Sequence, residues 1–461
     1  MAAELLANRL VPETFIPTTF QRRLAIRENE ARIIPQDQLS SPEKREEQYR
    51  RLELMIGNTP LLGLNSEHGL ILAKVESQNP SESHYDRAYI ATLKRLENDG
   101  IIQPGDVLLE NTSGSAGTSL AWLCSRLGYR AHIIVPPELP LGRIQEMINF
   151  SATVEKSKPG YIPQTGEVIR EKLDEFTQNG YEITRHRTGD YFVITAHKDN
   201  VRVCLVNHSA NQLTVNAFRA IGNEVSELIP RGVPVDYFVS ILGNWTTTIG
   251  ISQALKERFG RLQVVGVEDF ANPAFFVEKH PGLFEKLYGK EPAFGQHNSF
   301  GASFQGVRLR FADVNMLDEV RLVKHEARDW VQAEYNFGKL LIESIGNTSA
   351  ASLHTAMRLT EEHPGSIVLV IFYDKNDRYG NPILSETVPG LSYHISDETL
   401  GPNMLPRLGW RQWLPVSPVD LPMDLLQVNR KPEVVREQNI RRNPSHGLEH
   451  RIFKDLETEG K

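Results

Sequence analysis

Through the middle of the chain, short runs of apolar and β-branched residues alternate with stretches whose apolar positions recur at helical spacing. Leu70–Val75 (LILAKV) predicts a strand, 89–98 a helix, 106–110 a strand after the Gly105 turn, 119–127 a helix, Arg130–Val135 a strand and 141–150 a helix. Further on, 235–242 predicts a strand, 249–259 a helix and 262–267 a strand. The helix Asn347–Glu362 then leads into the strongly apolar strand 366–372. Strands alternating with helices of this length imply parallel sheets joined by right-handed crossovers, an α/β class. The flanks read differently. Residues 1–50 are rich in charge and Pro with one helix expected near 41–54, and from about 396 the chain is Pro-dense and irregular, ending in a charged tail.

Composition narrows the picture. A chain of 461 residues, 40% hydrophobic and 24% charged, is long enough for two or three packed domains. A net charge of -7 and a pI near 6.1 argue against a nucleic-acid binder. Short basic clusters such as 436–442 read as solvated faces. The two cysteines, Cys124 and Cys204, lie in apolar segments and exclude a disulfide framework or a four-thiolate metal site in one chain. The N-terminal stretch lacks a basic start followed by a long apolar run, and the longest apolar run, Ile367 to Tyr373, is far too short to span a bilayer. A soluble, cytoplasmic chain with neither nucleic-acid nor membrane partners is expected. His446-Gly447-Leu448-Glu449-His450 matches an H-x-x-E-H zinc pattern, but that site needs a third ligand and only eleven residues follow it. An exposed tail turn, and no metal, is the expectation.

Two strand-to-helix turns carry candidate chemistry, because backbone N–H groups at a helix N-terminus favour anions. The first runs from Glu110 through Thr112-Ser113-Gly114-Ser115 to Thr118, where small residues and hydroxyls suit a carboxylate. An ordinary cap with glycines for a tight turn explains that spacing equally well. The second, Gly243-Asn244-Trp245-Thr246-Thr247-Thr248, offers three threonines to cap a helix or hold an anion, while Trp245 works against close approach by a phosphate.

Several stretches together resemble the cysteine synthase and cystathionine β-synthase family of fold-type II pyridoxal-phosphate enzymes. Ile56-Gly57-Asn58-Thr59-Pro60-Leu61 is similar to that family's I-G-N-T-P-L, and Ile71-Leu72-Ala73-Lys74-Val75-Glu76 to its I-L-A-K-x-E. Asn79-Pro80, Ser83 and Asp86-Arg87 match the N-P-x-x-S-x-K-D-R motif. Thr112-Ser113-Gly114 and Gly117 match T-S-G-N-T-G, Gly266-Val267-Glu268 a G-V-E strand end, and Arg378-Tyr379 the closing R-Y. The matches come in the family's order over roughly 55–395, more specific than any single glycine motif. The resemblance implies a two-domain, tryptophan synthase β-like α/β fold with N- and C-terminal extensions. It places a large domain at about 51–88 plus 200–395 and a small domain at about 89–199. It also implies a homodimer, pyridoxal phosphate as the default cofactor, and a substrate carboxylate on the 112–115 loop.

The departures fall on the cofactor. Tyr85 stands where the resemblance places the lysine that forms the internal aldimine, and a phenol cannot form an imine. Ser115 replaces the asparagine of T-S-G-N. Gly243-Asn244-Trp245-Thr246-Thr247 replaces the phosphate loop G-T-G-G-T, losing two of three glycines. Lys375 falls where a serine should face the pyridine nitrogen, or Asp374 if the alignment slips by one. Lys94, about 13 Å along the same predicted helix, and Lys74, on a matched strand, are not placed to substitute. Pyridoxal phosphate is therefore not expected to work here.

Glu82, His84, Tyr85 and Asp86 put titratable groups where the family's chemistry occurs. They form either an acid/base cluster, with Tyr85 donating or His84 shuttling a proton, or an aromatic filler of a vacated pocket. Two readings of function follow: a cofactor-free enzyme, a lyase or transferase, binding an amino acid or related carboxylate at Thr112, Ser113, Gly114 and Ser115; or an inactive homologue that regulates or pairs with an active paralogue. A conventional β-replacement enzyme is a distant third.

Overall fold

A computed structural model describes residues 39–376, apart from 40, 67, 159–165, 296, 298, 300, 303–309 and 338–343. Arg378-Tyr379, the 436–442 cluster, the 446–450 motif and most of both extensions lie outside the described residues.

In chain order come α1 (Pro42–Met55), β1 (Leu61–Asn65), β2 (Leu70–Val75), α2 (Tyr85–Asn98), β3 (Val107–Asn111), α3 (Ser115–Leu127), β4 (Arg130–Val135) and α4 (Leu141–Asn149). Next are β5 (Thr153–Lys156), α5 (Gly166–Gln178), β6 (Glu182–Arg187), β7 (Phe192–Lys198), β8 (Val201–Leu205), α6 (Gln212–Leu228), β9 (Tyr237–Ile241) and α7 (Thr246–Arg258). The described chain closes with β10 (Gln263–Asp269), α8 (Ala274–Lys279), α9 (Leu283–Tyr288), β11 (Glu319–Val323), α10 (His325–Phe337), α11 (Asn347–Glu362) and β12 (Ile367–Phe372).

The strands make two six-stranded sheets, in the orders β1-β2-β12-β9-β10-β11 and β5-β4-β3-β8-β7-β6. The first is parallel except for the β1–β2 pair. The second is parallel across β5, β4, β3 and β8, and antiparallel across β8, β7 and β6. It extends through Leu205, so its last strand lies past the expected boundary at 199.

Helices cover both faces of the first sheet, which explains the continuous apolar runs in its central strands. In β12, Ile367, Leu369 and Ile371 enter the core shared with α6 and α7, while Val368, Val370 and Phe372 enter the core under α11. β2 divides the same way, with Leu70 and Leu72 on one face and Ile71, Ala73 and Val75 on the other. The second sheet packs its β3, β4 and β8 side chains against α2 and α3 on one face and α5 on the other. Tyr85 touches the first sheet's core and the second's, so the head of α2 joins the two domains.

A buried cluster of four charges holds that joint. Arg87 donates to both oxygens of Glu76 (2.8 and 2.9 Å) and both of Glu224 (2.6 and 2.8 Å), and Lys74 donates to Glu224 at 2.6 Å. The segment Gly57–Thr59 feeds the same cluster: the Asn58 N–H donates to Glu224 at 2.7 Å and the Thr59 hydroxyl to Glu76 at 2.6 Å. Gly57, at φ 76°, leaves room for the Arg87 guanidinium, which any side chain there would strike.

Removing one member leaves the others buried and uncompensated. Glu224→Ala should therefore cost about 3–5 kcal/mol of stability in urea unfolding. Burial alone would raise the Glu224 carboxyl, but Arg87 and Lys74 overcome this and hold it below the usual range. A depressed folded value stabilises the fold above the unfolded value of 4.5 and is lost as pH falls below it. Wild type should lose stability over that acid range more steeply than the variant.

Candidate functional site

Because the helices start at the carboxyl ends of parallel strands, their first turns converge between the domains. A cavity of about 60 Å³ lies there, lined by His84 and Tyr85 at the head of α2, Ser115 and Ala116 of α3, Thr247 and Thr248 of α7, and Thr348 of α11. Each helix N-terminus carries roughly half a positive charge, so four of them favour an anion. Among the described residues, the lining holds one permanent cation, Arg143, and one carboxylate, Asp374.

The 112–115 turn meets both. Arg143 of α4 donates to the Ser113 carbonyl at 3.1 Å and to Asp374 Oδ2 at 2.6 Å, and the Ser115 hydroxyl donates to the same Oδ2 at 3.1 Å. Thr112, Ser113 and Ser115 line the cavity; Gly114, at φ 143°, lies against the Arg143 guanidinium, where a Cβ would collide. Asp374 follows β12 in the first domain, whereas Ser113, Ser115 and Arg143 belong to the second. The ion pair thus crosses the cleft.

At the α2 end, Thr246 donates its N–H (3.2 Å) and hydroxyl (2.7 Å) to Asn244 Oδ1. This orients the Asn244 amide so that Nδ2 donates to the Tyr85 hydroxyl at 3.0 Å. The phenolic proton is left to be given elsewhere. Burial raises the Tyr85 phenol well above its ordinary value, outweighing the opposing Asn244 bond, so Tyr85 is a hydrogen-bond donor at neutral pH and not a base. Its ring packs edge-on against His208 at 5.2 Å and Phe218 at 5.5 Å. His84 Nε2 lies 3.1 Å from the Thr247 hydroxyl, while its Nδ1 is buried without a hydrogen-bond partner among the described residues.

Several expected site residues stand elsewhere. Lys375, expected beside a cofactor ring, pairs with Glu82 and does not line the cavity; Asp374 is drawn inward by Arg143 and Ser115 instead. Glu82 is thereby taken from the expected acid/base cluster, and Asp86 accepts from the Ser81 N–H at 2.8 Å. Of that cluster, His84 and Tyr85 face the cavity. Gly243 lines it and approaches the Gly301 carbonyl so closely that no Cβ would fit. Thr246 caps its own turn, and Thr247 faces inward. Trp245 heads α7 at φ 70°, fully buried, its ring edge-on to Phe275 at 4.8 Å. Lys74 is held by Glu224, and Lys94 by Glu46 (3.0 Å) and Glu53 (3.1 Å). Arg143 carried no sequence signal, since an arginine in an amphipathic helix ordinarily faces solvent. His208 opens a short 3-10 turn, His208–Ala210, with no motif to mark it.

The family model described as "Pyridoxal-phosphate dependent enzyme" matches residues 52–374. The chain belongs to that family. Among curated relatives, cysteine synthase B of Campylobacter jejuni is 26% identical over 339 residues, covering 72% of this chain and 97% of the relative. A probable cysteine synthase of Bacillus subtilis is 28% identical over 334 residues, covering 70% and 94%. Among solved structures, a hydrogen sulfide-producing enzyme from Fusobacterium nucleatum superposes with TM-score 0.57 at 23% identity, covering 71% of this chain and 99% of that one. Cysteine synthase from Entamoeba histolytica gives 0.56 at 23% identity, covering 77% and 94%. The expected fold-type II architecture, two α/β domains around a cleft, is the one observed. Among the described residues no helix is long and apolar enough to cross a membrane, and no group of three or more His, Cys, Asp or Glu could hold a metal ion.

Burial lowers the His84 imidazole from 6.5 to about 4. The unfolded chain takes up that proton first, so stability attributable to His84 falls as pH drops from 6.5 toward 4. His84→Gln should flatten the pH dependence of urea unfolding in that window by up to about 1.4 kcal/mol per pH unit, the equivalent of one proton.

Proposed function

We propose that this member of the family no longer uses pyridoxal phosphate and that its cleft binds an α-amino acid or closely related carboxylate directly. The observation carrying this reading is the lining of the cavity: among the described residues it contains no lysine, and Tyr85 heads α2 where the sequence motif would put one. An imine requires a primary amine, and Lys74 and Lys375 are committed to Glu224 and Glu82. Trp245 adds a second misfit. A phosphate loop relies on small residues that let backbone N–H groups reach the anion, and here the bulky Trp245 stands in that loop on the cavity wall. The residues present do not fit the cofactor.

The anion site survives in different form. The N–H groups at the start of α3, the Ser113 hydroxyl and the Arg143 guanidinium suit a small carboxylate. Tyr85 supplies a hydrogen-bond donor, its oxygen held by Asn244. His84 stays neutral at physiological pH and offers one ring nitrogen to a ligand.

The protein should purify without the absorbance of a lysine aldimine and show no cysteine formation from O-acetylserine and sulfide, even with added pyridoxal phosphate. Tyr85→Lys alone should not restore that activity, because Trp245 still fills the second loop. A yellow protein whose band disappears on borohydride treatment, with a lysine modified, would overturn the reading.

A ligand that binds only the folded form raises the melting temperature by mass action. Some amino acid or small carboxylate should therefore raise the melting temperature of wild type. Ser113→Leu should abolish the shift while leaving the circular dichroism spectrum unchanged. A screen in which no such compound shifts wild type would remove the binding claim.

A further inference from the structure

We infer that a proton taken up by His208, with the buried Glu110 behind it, supplies the counter-charge for the carboxylate of a ligand in the cleft. This rests on the carboxylate reading above and goes beyond it by making anion binding and proton uptake one event.

The permanent charges of the lining cancel. Arg143 pairs with Asp374 at 2.6 Å, so the one permanent cation among the described lining residues is offset by the one carboxylate. The helix N-termini still draw an anion inward. Glu110, at the end of β3 just before the 112–115 turn, opposes it. That carboxylate is buried, and its hydrogen bonds come from neutral donors. The Tyr89 hydroxyl and the His208 backbone N–H reach Oε2, both at 3.0 Å, and the Asn111 N–H reaches Oε1 at 3.1 Å. Burial, and then Glu110 itself, hold the Tyr89 phenol well above its ordinary value, so that donor stays neutral. Among the described residues no lysine or arginine lies within ion-pair distance of Glu110, but the His208 imidazole does, with Nδ1 3.1 Å from Oε2.

His208 also lines the cavity, so one ring touches the buried charge and faces the ligand. Its Nδ1 makes no aligned hydrogen bond among the described residues, so its attraction to Glu110 is one of charge and needs a protonated ring. Nε2 stands 3.2 Å from the Ser209 hydroxyl, which can donate to a neutral ring or accept from a charged one. A carboxylate in the cavity places a second negative charge beside the imidazole, and each such charge favours the protonated form. The other groups facing the ring do not compete for that proton. From α2 come Tyr85 and Tyr89, with centroids at 5.2 and 6.0 Å, both phenols kept neutral by burial. His84, the second imidazole on the lining, is lowered to about 4 by burial and has no carboxylate within ion-pair distance among the described residues. The protonated protein is the form that binds the anion, so affinity falls as pH rises through the titration of His208.

Isothermal titration calorimetry with acetate, L-lactate, L-serine and L-alanine, in HEPES and in Tris, counts the protons exchanged, because the two buffers release a proton with different heats. A range from about pH 6 to 8.5 covers histidine while carboxylates stay ionised. For at least one probe, wild type should take up about 0.5–1 proton within that range, with Kd rising by up to about tenfold per pH unit. His208→Gln should cut the uptake below about 0.2 proton and leave Kd nearly independent of pH. Glu110→Gln keeps the ring, removes the buried charge and should lower the uptake to about half or less. The wild-type proton count does not depend on either variant folding. Binding without proton uptake in wild type, or undiminished uptake in either variant, overturns the role of the pair and leaves the carboxylate site standing. Binding of none of the four probes overturns both.

Discussion

The joint between β2, α2 and α6 depends on a charge balance that has to be complete. Lys74, Glu76 and Arg87 are almost wholly withdrawn from water and Glu224 largely so, and each carboxylate oxygen of the two glutamates accepts from Arg87, Lys74 or a neighbouring donor. Withdrawing such charges costs several kcal/mol apiece unless the partners are all in place. With them in place, the segment from Gly57 to Thr59, the end of β2 and the start of α2 are locked in one arrangement. That arrangement aims Tyr85 and His84 into the cleft. The chemistry of the site is thus set by a cluster that does not line it.

A second, smaller ion pair governs the opposite wall. Arg143 and Asp374 come from different domains and meet over the 113–115 turn, joined there by Ser115. Together with Tyr85, whose ring touches both cores, they connect the two sheets across the cleft. Helix N-termini supply a positive field from four directions, and the Arg143–Asp374 pair places one positive and one negative group inside it.

Most of the residues that match the signature serve the framework, although Thr112 and Ser113 also match it and line the cavity. Residues that resemble the family's signature, including Gly57, Asn58, Thr59, Lys74, Glu76, Asn79 and Arg87, build the framework: Asn79, for example, accepts from the Gly57 N–H at 2.8 Å and donates to Glu76 at 2.8 Å. Positions that depart from the signature, Tyr85, Ser115 and Trp245, face the cavity. Framework residues must satisfy one another, so changing one leaves a buried group without its partner. Cavity residues answer to a ligand, and can change with it.

The sequence by itself determined the alternation of strands and helices, because burial on both faces demands unbroken apolar runs in β2 and β12 and amphipathic stripes in the helices that cover them. It also determined the chemical fact at position 85, since no fold makes a phenol into an amine. Boundaries were less legible. The helices predicted from 89, 119 and 249 begin at Tyr85, Ser115 and Thr246, because their first turns carry polar residues that face the cleft and leave the apolar period silent there. β6, largely exposed and mixed in polarity, gave no run to detect, although its partner β7 is buried from Phe192 to Ala196. Only the tertiary structure decided between Lys375 and Asp374, because Glu82 captures the lysine and Arg143 with Ser115 captures the aspartate. It alone brought Arg143 in from α4 as well. Those partners are hundreds of residues apart along the chain, and one-dimensional spacing carries no information about which charges will meet once the two sheets close on each other.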